Sequence, residues 1–343
     1  MNISTKMAHR FMKPIILNSK IQTIRSVLNC CENTGCKLLH TATTVPVKEI
    51  KIPVQWGHIA GKAWGDVDGR RPILALHGWQ DNAGTWDTLA PLLYQKIPII
   101  AIDFPGHGLS SWYPHGMQYY PWDFARLILT IRDHFQWDKV SLLCHSMGSI
   151  AGMRYACVFP EDVDFFIAID NIITDDYDLD QVVERFPKLF RKIQIAQTRT
   201  DAEPPSYTLE EFVKRWHYGT KKSVSMESVH HLAKRGMKAS SGDPNKYYFN
   251  RDARLKHTLF MPENKMFVET LVKRLKCPTA YFKAIDSPYA SDPFAVELRE
   301  TLEKNNENFE CHFVPGTHHV HLNNPDLVAP IMTKFLEKYK FII

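Results

Sequence analysis

Six short, almost wholly apolar runs recur along this chain, and stretches with helical periodicity separate most of them. The runs span residues 73–76, 97–102, 140–144, 163–169, 279–284 and 309–314. Helical periodicity is clear over residues 122–135 and 147–159. Short apolar strands that alternate with helices are typical of a mostly parallel sheet with helices on both faces. The sequence therefore predicts an α/β fold, which opens with a pair of strands at residues 47–54 and 58–64.

The spacing of these runs changes once, between Asp170 and Cys277. The intervening chain has no comparable run and shows helical patterns with many aromatic and charged residues. A compact domain does not leave so long a stretch unstructured. We therefore expect a helical cap over residues 173–275, inserted after strand 6. Residues 46–172 and 276–343 would form the α/β core.

The composition excludes several classes of protein. The chain has 343 residues, of which 44% are hydrophobic and 23% charged, as in globular proteins with a large core. The formal net charge is +5, and the basic excess lies at the N-terminus rather than on a predicted folded face, so we expect no nucleic-acid binding. No apolar run approaches the ~18 residues that a membrane span needs, so we expect no stable membrane insertion.

The first 45 residues form a predicted N-terminal extension that is basic, poor in acids and rich in Ser and Thr. This composition is typical of a mitochondrial transit peptide. An untargeted extension is the alternative, with a cytoplasmic or peroxisomal location, although the C-terminus shows no peroxisomal tripeptide. Cys31, Cys36 and His40 lack a second pair of ligands at zinc-finger spacing, so no metal site is expected there.

The strongest chemical signal is the segment Cys144-His145-Ser146-Met147-Gly148, which joins a predicted strand to a predicted helix. A serine at such a sharp turn holds its hydroxyl clear of the sheet, at the start of the helix. Strand and helix approach closely there, so small residues are needed on either side. Gly148 fits this pattern, and Cys144 stands where glycine is usual.

Three other segments support the same interpretation. Residues 76–79 (LHGW) and 103–110 (DFPGHGLS) each follow an apolar run, and residues 315–318 (PGTH) precede His321-Leu322. With the serine turn, these motifs resemble the α/β-hydrolase family over roughly residues 50–340. Within that family the chain is most similar to the animal serine hydrolase-like proteins of the kraken type. The resemblance implies an α/β-hydrolase fold.

A reactive serine needs a base, an acid that orients the base, and donors for an oxyanion. In this fold the order along the chain is Ser, then Asp or Glu, then His. Ser146 is the predicted nucleophile and His318 the predicted base, with His319 and His321 as alternatives. His145 would pack beneath the serine or line the substrate pocket.

The predicted acid is Asp286, which follows the fifth apolar run, and Asp170 at the end of the fourth run is the alternative. Asp292 precedes a proline and a helical stretch, which is typical of a helix N-cap. His77 and His107 are expected to brace their loops.

The backbone N–H groups of Trp79 and Met147 are the expected oxyanion donors, and the Trp79 side chain would contact the substrate or pack in the core. These residues predict a serine hydrolase that cleaves an ester of a small, partly apolar acyl substrate. A thioester or C–C hydrolase with the same triad is an alternative, as is a low-turnover binding protein on a hydrolase scaffold. Neither a cofactor nor a metal is expected, because no phosphate-binding or zinc-binding motif is present.

Overall fold

A computed structural model describes residues 46–173, 178–198, 203–258 and 263–342. The predicted N-terminal extension lies outside the described residues. The strands are β1 (Val47–Val54), β2 (Gly57–Trp64), β3 (Ile73–Leu76), β4 (Ile99–Ile102), β5 (Val140–His145), β6 (Val163–Ile169), β7 (Tyr207–Thr208), β8 (Met237–Ala239), β9 (Lys246–Phe249), β10 (Thr279–Ala284) and β11 (Phe309–Val314). The helices are α1 (Ala90–Leu93), α2 (Pro121–His134), α3 (Met147–Val158), α4 (Leu179–Thr198), α5 (Leu209–Gly219), α6 (Val229–Gly236), α7 (Lys265–Val272), α8 (Pro293–Asn305), α9 (Val320–Asn323) and α10 (Ala329–Lys338).

Eight strands form one central sheet in the order β1-β2-β4-β3-β5-β6-β10-β11. The pairs from β4 to β11 are parallel, while β1 and β2 add an antiparallel edge. The mostly parallel sheet predicted from the apolar runs is confirmed, and each of the six runs coincides with one of its strands. Parallel strands place their carboxyl ends at one edge, so the loops after β3, β5, β6 and β10 meet there.

Separate apolar clusters cover the two faces of this sheet. One cluster packs α2, α3, α7 and α8 against it and includes Phe104, Phe124 and Phe166. The other packs α1 and α10 and includes Trp86 and Phe335. Because both faces are covered, the central strands carry apolar side chains at nearly every position, which explains their continuous apolar character.

The chain between β6 and β10 differs from the purely helical segment that we expected. It contains α4 to α7, and also a small antiparallel sheet in the order β7-β9-β8. A third apolar cluster, which includes Phe212 and Trp216, holds α5, α6 and this small sheet together. The last helix of the segment, α7, buries Val268 and Leu271 in the core cluster instead. The boundaries of a separate cap stay a prediction.

Arg235 of α6 joins this segment to the core. Its guanidinium donates to the fully buried carboxylate of Asp103, with an N–O distance of 2.8 Å, and to Glu49 on β1. Asp103 also accepts from the backbone N–H groups of Ala83 and Leu109. Its carboxylate therefore connects the loops after β3 and β4 with helix α6.

Two further features follow from the described residues. Among them, no helix is both long enough and apolar enough to cross a membrane. Cys144, Cys157, Cys277 and Cys311 are free thiols. Burial raises the pKa of the first three, so these thiols are protonated at neutral pH.

Candidate active site

Ser146 lies at the turn between β5 and α3 with φ of 53° and ψ of −119°. This left-handed backbone conformation is rare for a side chain with a Cβ, so the turn is strained. Its N–H donates to the carbonyl of Ile169 at the end of β6, at 3.1 Å. The expected sharp turn is therefore present, and the half-buried Ser146 side chain borders a cavity.

Two glycines permit the close approach that this turn requires. A Cβ on Gly148 would lie 2.4 Å from the carbonyl oxygen of Leu76, so α3 can start beside β3 only with glycine there. A Cβ on Gly152, one turn later, would lie 2.9 Å from the sulfur of Cys144. Gly152 thus provides the space for a cysteine at the position where glycine is usual.

His318 connects the serine to a buried carboxylate. Its Nε2 lies 2.8 Å from Oγ of Ser146, and its Nδ1 hydrogen-bonds to Oδ2 of Asp170. Because a carboxylate only accepts, Nδ1 carries the proton and Nε2 faces the hydroxyl as an acceptor. Burial is the main reason that the pKa of His318 lies below its usual value, which keeps the imidazole neutral at neutral pH.

The structure places Asp170, and not the expected Asp286, against His318. Asp286 is exposed, and its backbone N–H donates to the carbonyl of Gly316 at 3.0 Å. Asp170, the alternative from the sequence, is fully buried at the end of β6 and contacts His318. β6 and β10 are neighbouring strands, so the loop after β6, which carries Asp170, and the loop after β10, which carries Asp286, both end near His318. Asp286 belongs to an exposed turn, whereas donors on the β10 side hold Asp170 inward.

Those donors were not singled out from the sequence. Lys283 Nζ donates to Oδ1 of Asp170 at 3.1 Å, and the Ala284 N–H donates to the same oxygen at 3.0 Å. The Ser287 hydroxyl donates to Oδ2. The sequence did contain one signal of a buried carboxylate: Lys283 lies inside the apolar run 279–284, and buried lysines are almost always paired.

His145 is fully buried beneath the serine. Its Nε2 donates to the main-chain carbonyl of His318 at 2.9 Å, which fixes the backbone of the candidate base. Burial holds the pKa of His145 well below its usual value. The ring borders the cavity, but its hydrogen bond makes it a support for His318, so direct contact with a substrate stays a prediction.

The other histidines have partners away from the serine. His77 accepts from the Phe104 N–H at 2.9 Å, and His107 accepts from the Gln80 N–H at 3.1 Å, so both brace loops as expected.

His319 bonds to the Ser223 hydroxyl, and His321 bonds to the Thr85 hydroxyl at 2.9 Å. These contacts do not place His319 or His321 against Ser146. The Asp292 carboxylate caps α8, as expected.

The loop after β3 lies beside the serine turn. A Cβ on Gly78 would lie 3.2 Å from Cβ of Ser146, so the backbone before Trp79 passes close to the serine. Met147 is the first residue of α3, where N–H groups have no acceptor within the helix. Both residues border the same cavity as Ser146. Their role as oxyanion donors stays a prediction.

The cavity above Ser146 has a volume of about 430 Å³. Residues of the core and residues of the segment between β6 and β10 both line it. Apolar lining comes from Trp79, Ile150, Trp216 and Phe249. Arg154, Arg215 and Arg251 also border it, and sequence reasoning did not select them.

One group of side chains in the described part of the chain has donor atoms suitable for a metal. The ligand atoms of Asp81, His145 and His319 lie within 4.8 Å of one another. Nε2 of His319 is 3.6 Å from the Asp81 carboxylate, and the Arg251 charge acts on that same carboxylate. A neighbouring cation opposes the binding of a second one.

Known proteins are similar to this chain over most of its length. A family model described as alpha/beta hydrolase fold matches residues 71–325. A probable serine hydrolase of Drosophila melanogaster is 36% identical, over 85% of this chain and 88% of the fly protein. A mouse serine hydrolase-like protein is 33% identical, over 84% of this chain and 95% of its own length.

A solved structure of similar sequence extends the match to three dimensions. A hypothetical protein from Pseudomonas aeruginosa PAO1 superposes with a TM-score of 0.72 at 31% identity. The match covers 84% of this chain and 99% of the bacterial one. The family model, the curated relatives and the shared fold lead to one conclusion: this chain belongs to the α/β-hydrolase family.

Proposed function

We propose that this protein is a serine hydrolase that cleaves a carboxylic ester through Ser146, His318 and Asp170. The observation that supports it most is the 2.8 Å contact between Oγ of Ser146 and the unprotonated Nε2 of His318. A hydroxyl this close to a neutral imidazole can lose its proton as it attacks a carbonyl. The serine hydrolase-like relatives support the same chemistry.

The proposed reaction has two halves. Oγ of Ser146 attacks the substrate carbonyl while Nε2 of His318 takes the hydroxyl proton, and the imidazolium then protonates the leaving alkoxide. Water then enters, gives a proton to Nε2 and attacks the acyl-enzyme carbonyl. As the bond between the acyl carbon and Oγ breaks, the imidazolium returns this proton to Oγ, which releases the acid and restores Ser146 and the neutral imidazole. Asp170 would hold Nδ1–H and stabilise the imidazolium in both halves.

The backbone N–H groups of Trp79 and Met147 are our candidates for the oxyanion site. The support is their position beside the serine turn, since the charge on the carbonyl oxygen develops next to Ser146. Loss of one such donor typically costs about 10²–10³ in rate.

The cavity supports a small substrate with an apolar part. Its volume of about 430 Å³ lies at the small end for ligand pockets. Trp79, Trp216 and Phe249 would contact the apolar portion. The same triad suits the cleavage of thioesters and of C–C bonds next to a carbonyl. The feature that all these substrates share is an acyl group that Ser146 can attack.

Labelling by a fluorescent fluorophosphonate tests the nucleophile directly. We expect the full-length protein to be labelled, and Ser146→Ala and His318→Ala to lose both labelling and hydrolysis of short 4-nitrophenyl esters. Ser240→Ala, in the turn between β8 and β9, is the matched control and should label normally. A folded protein that resists labelling and turns over no ester would instead indicate a binding protein on this scaffold.

We also propose that residues 1–45 direct the protein to mitochondria. The support is the basic, acid-poor composition of that segment. A fluorescent protein carrying residues 1–45 should colocalise with mitochondria, whereas the same fusion with its basic residues changed to Gln should not. Diffuse fluorescence of the first fusion would contradict the proposal.

A further inference from the structure

Arg251 borders the same cavity as Ser146. Its Nε is buried, and no acceptor among the described residues bonds to its guanidinium. Burial lowers the pKa of Arg251 to about 10, so the side chain is still charged at neutral pH. The Arg251 side chain as a whole is half-buried, and a cation whose Nε is removed from water without an acceptor is costly unless a ligand completes it.

Another arginine in this cavity shows the ordinary arrangement. Arg154 pairs with the Glu263 carboxylate at 3.0 Å, and its guanidinium lies over the Trp122 ring. Arg251 lacks such a pair. The carboxylate whose charge acts on it is Asp81, but the two form no ion pair within 4.0 Å. Asp81 instead accepts from the Asn82 N–H at 2.8 Å and faces His319.

The backbone holds Arg251 firmly in place. The Asn250 side chain donates to the carbonyl of Gly108 at 2.9 Å, and the Asp252 N–H donates to the carbonyl of Gly106 at 2.8 Å. The guanidinium lies 4.3 Å from the centre of the Phe249 ring. The residues on either side of Arg251 are therefore bonded to the loop that follows β4, so Arg251 loses little conformational freedom when it binds a ligand.

Other positive charges lie near Arg251. Arg215 borders the cavity from α5, where its guanidinium stacks 3.9 Å from the centre of the Tyr207 ring. Burial lowers the pKa of Lys256, and so do the positive charges of Arg251 and Arg215. Both arginine charges thus repel Lys256 in the free protein, and a bound anion would relieve this repulsion.

We infer that the substrate carries an anionic carboxylate or phosphate-type group, which Arg251 binds with help from Arg215, while Ser146 attacks the acyl carbon at the other end. The inference rests on the proposed hydrolase function and assigns the substrate class to it. A guanidinium fork matches both kinds of oxyanion through paired hydrogen bonds. The apolar walls would hold the chain between the two ends of the substrate.

Two esters of the same shape test this inference. The 4-nitrophenyl monoester of adipic acid carries a terminal carboxylate, and 4-nitrophenyl 6-methylheptanoate replaces its two oxygens with methyl groups. We expect the wild type to prefer the anionic ester, and Arg251→Met to lower kcat/KM for it roughly 100-fold, as expected for a hydrogen bond to a charged group. The neutral ester should change by less than about 3-fold, because it lacks that bond. A 4-phosphonobutanoate ester tests the phosphate-type group in the same way.

Three variants separate binding from structure. Arg251→Lys should restore part of the preference, because it keeps the charge without the fork. Arg126→Met, an exposed arginine on α2 outside this cavity, should behave as the wild type. A structural arginine would destabilise the protein when removed, whereas Arg251→Met should leave the melting temperature unchanged or raise it, because an unpaired charge is removed.

The outcomes distinguish this inference from the proposed function. If Ser146-dependent hydrolysis shows no preference for either anion, or if Arg251→Met lowers both ester rates equally, the anion site is wrong and the hydrolase stands. If no ester is turned over, calorimetric titration of adipate and of phosphonobutanoate into Ser146→Ala tests the anion site without hydrolysis. Binding that Arg251→Met abolishes supports the site, and no binding of either anion overturns it.

Discussion

Asp170 and His318 form a direct hydrogen bond although 148 residues separate them in the chain. β6 pairs in parallel with β10, and β10 pairs in parallel with β11. The end of β6 therefore lies near the loop after β11, which carries His318. The N–H of Asp170 donates to the carbonyl of Phe282 at 2.7 Å, which extends this pairing by one residue. The contact thus depends on strand order and not on proximity in sequence.

Replacing Asp170 tests this relationship. Asp170→Asn should lower kcat for ester hydrolysis by about 10³–10⁴-fold, because the neutral amide does not stabilise the imidazolium and its NH2 can donate to Nδ1, which favours the wrong tautomer of His318. Asp286→Asn is the matched control and should retain nearly full activity, because its carboxylate is exposed and makes no contact with His318. Steady-state kinetics of folded variants would check both. Equal losses in the two variants would contradict the assignment of Asp170.

The pH dependence of hydrolysis depends on His318. Burial lowers the pKa of this imidazole, so the acid limb of kcat/KM should lie below pH 6.5, and activity should be lost as His318 becomes protonated. The positive charge of Lys283 also lowers this pKa. Lys283→Met should therefore shift the acid limb to higher pH, because His318 would bind a proton more readily.

A pH–rate profile from pH 4 to 9 would measure this shift. Lys283→Met also leaves Asp170 without its buried partner, so we expect a loss of about 3–5 kcal/mol in the free energy of unfolding. Lys276→Met, at an exposed position just before β10, should change neither quantity. An acid limb that stays in place or moves to lower pH in Lys283→Met would refute the electrostatic role of Lys283.

Cys144 and Gly152 should be energetically coupled. Gly152→Ala would place a methyl group 2.9 Å from the Cys144 sulfur and 3.0 Å from the Phe166 ring, so we expect a loss of about 1–3 kcal/mol in stability. In a Cys144→Ala background the same change should cost less, because the sulfur is gone. Urea unfolding of the four proteins of this double-mutant cycle would give the coupling energy, and strict additivity would show that the two positions are independent.

The ion pair between Arg235 and Asp103 should stabilise the attachment of α6 to the core. Both side chains are at least 96% buried, with side-chain exposures of 4% and 0%, so Arg235→Met should cost about 3–5 kcal/mol by leaving Asp103 unpaired. Glu49 is 59% exposed, so Glu49→Gln should cost less than about 1 kcal/mol. Chemical denaturation would compare the two, and equal costs would show that burial does not govern this network.

The sequence by itself determined the sheet and the serine turn. Continuous apolar runs require burial on both faces, and this fixed the strands from residue 73 onward as the core of a parallel sheet. The turn at Ser146 was predictable because a small residue, Gly148, follows a serine between strand and helix. Both signals are local, since each depends on side chains within a few positions of one another.

Only the tertiary structure decided which carboxylate reaches His318 and which arginine of the cavity has no acceptor among the described residues. Asp170 and Asp286 both follow apolar runs, so their local patterns are equivalent, and the buried donors Lys283 and Ser287 distinguish them only after β6 and β10 pair. Arg251 was likewise one of many basic residues in its segment. Its lack of a partner depends on the arrangement of the whole cavity, because burial and pairing are properties of the folded chain and not of the local sequence.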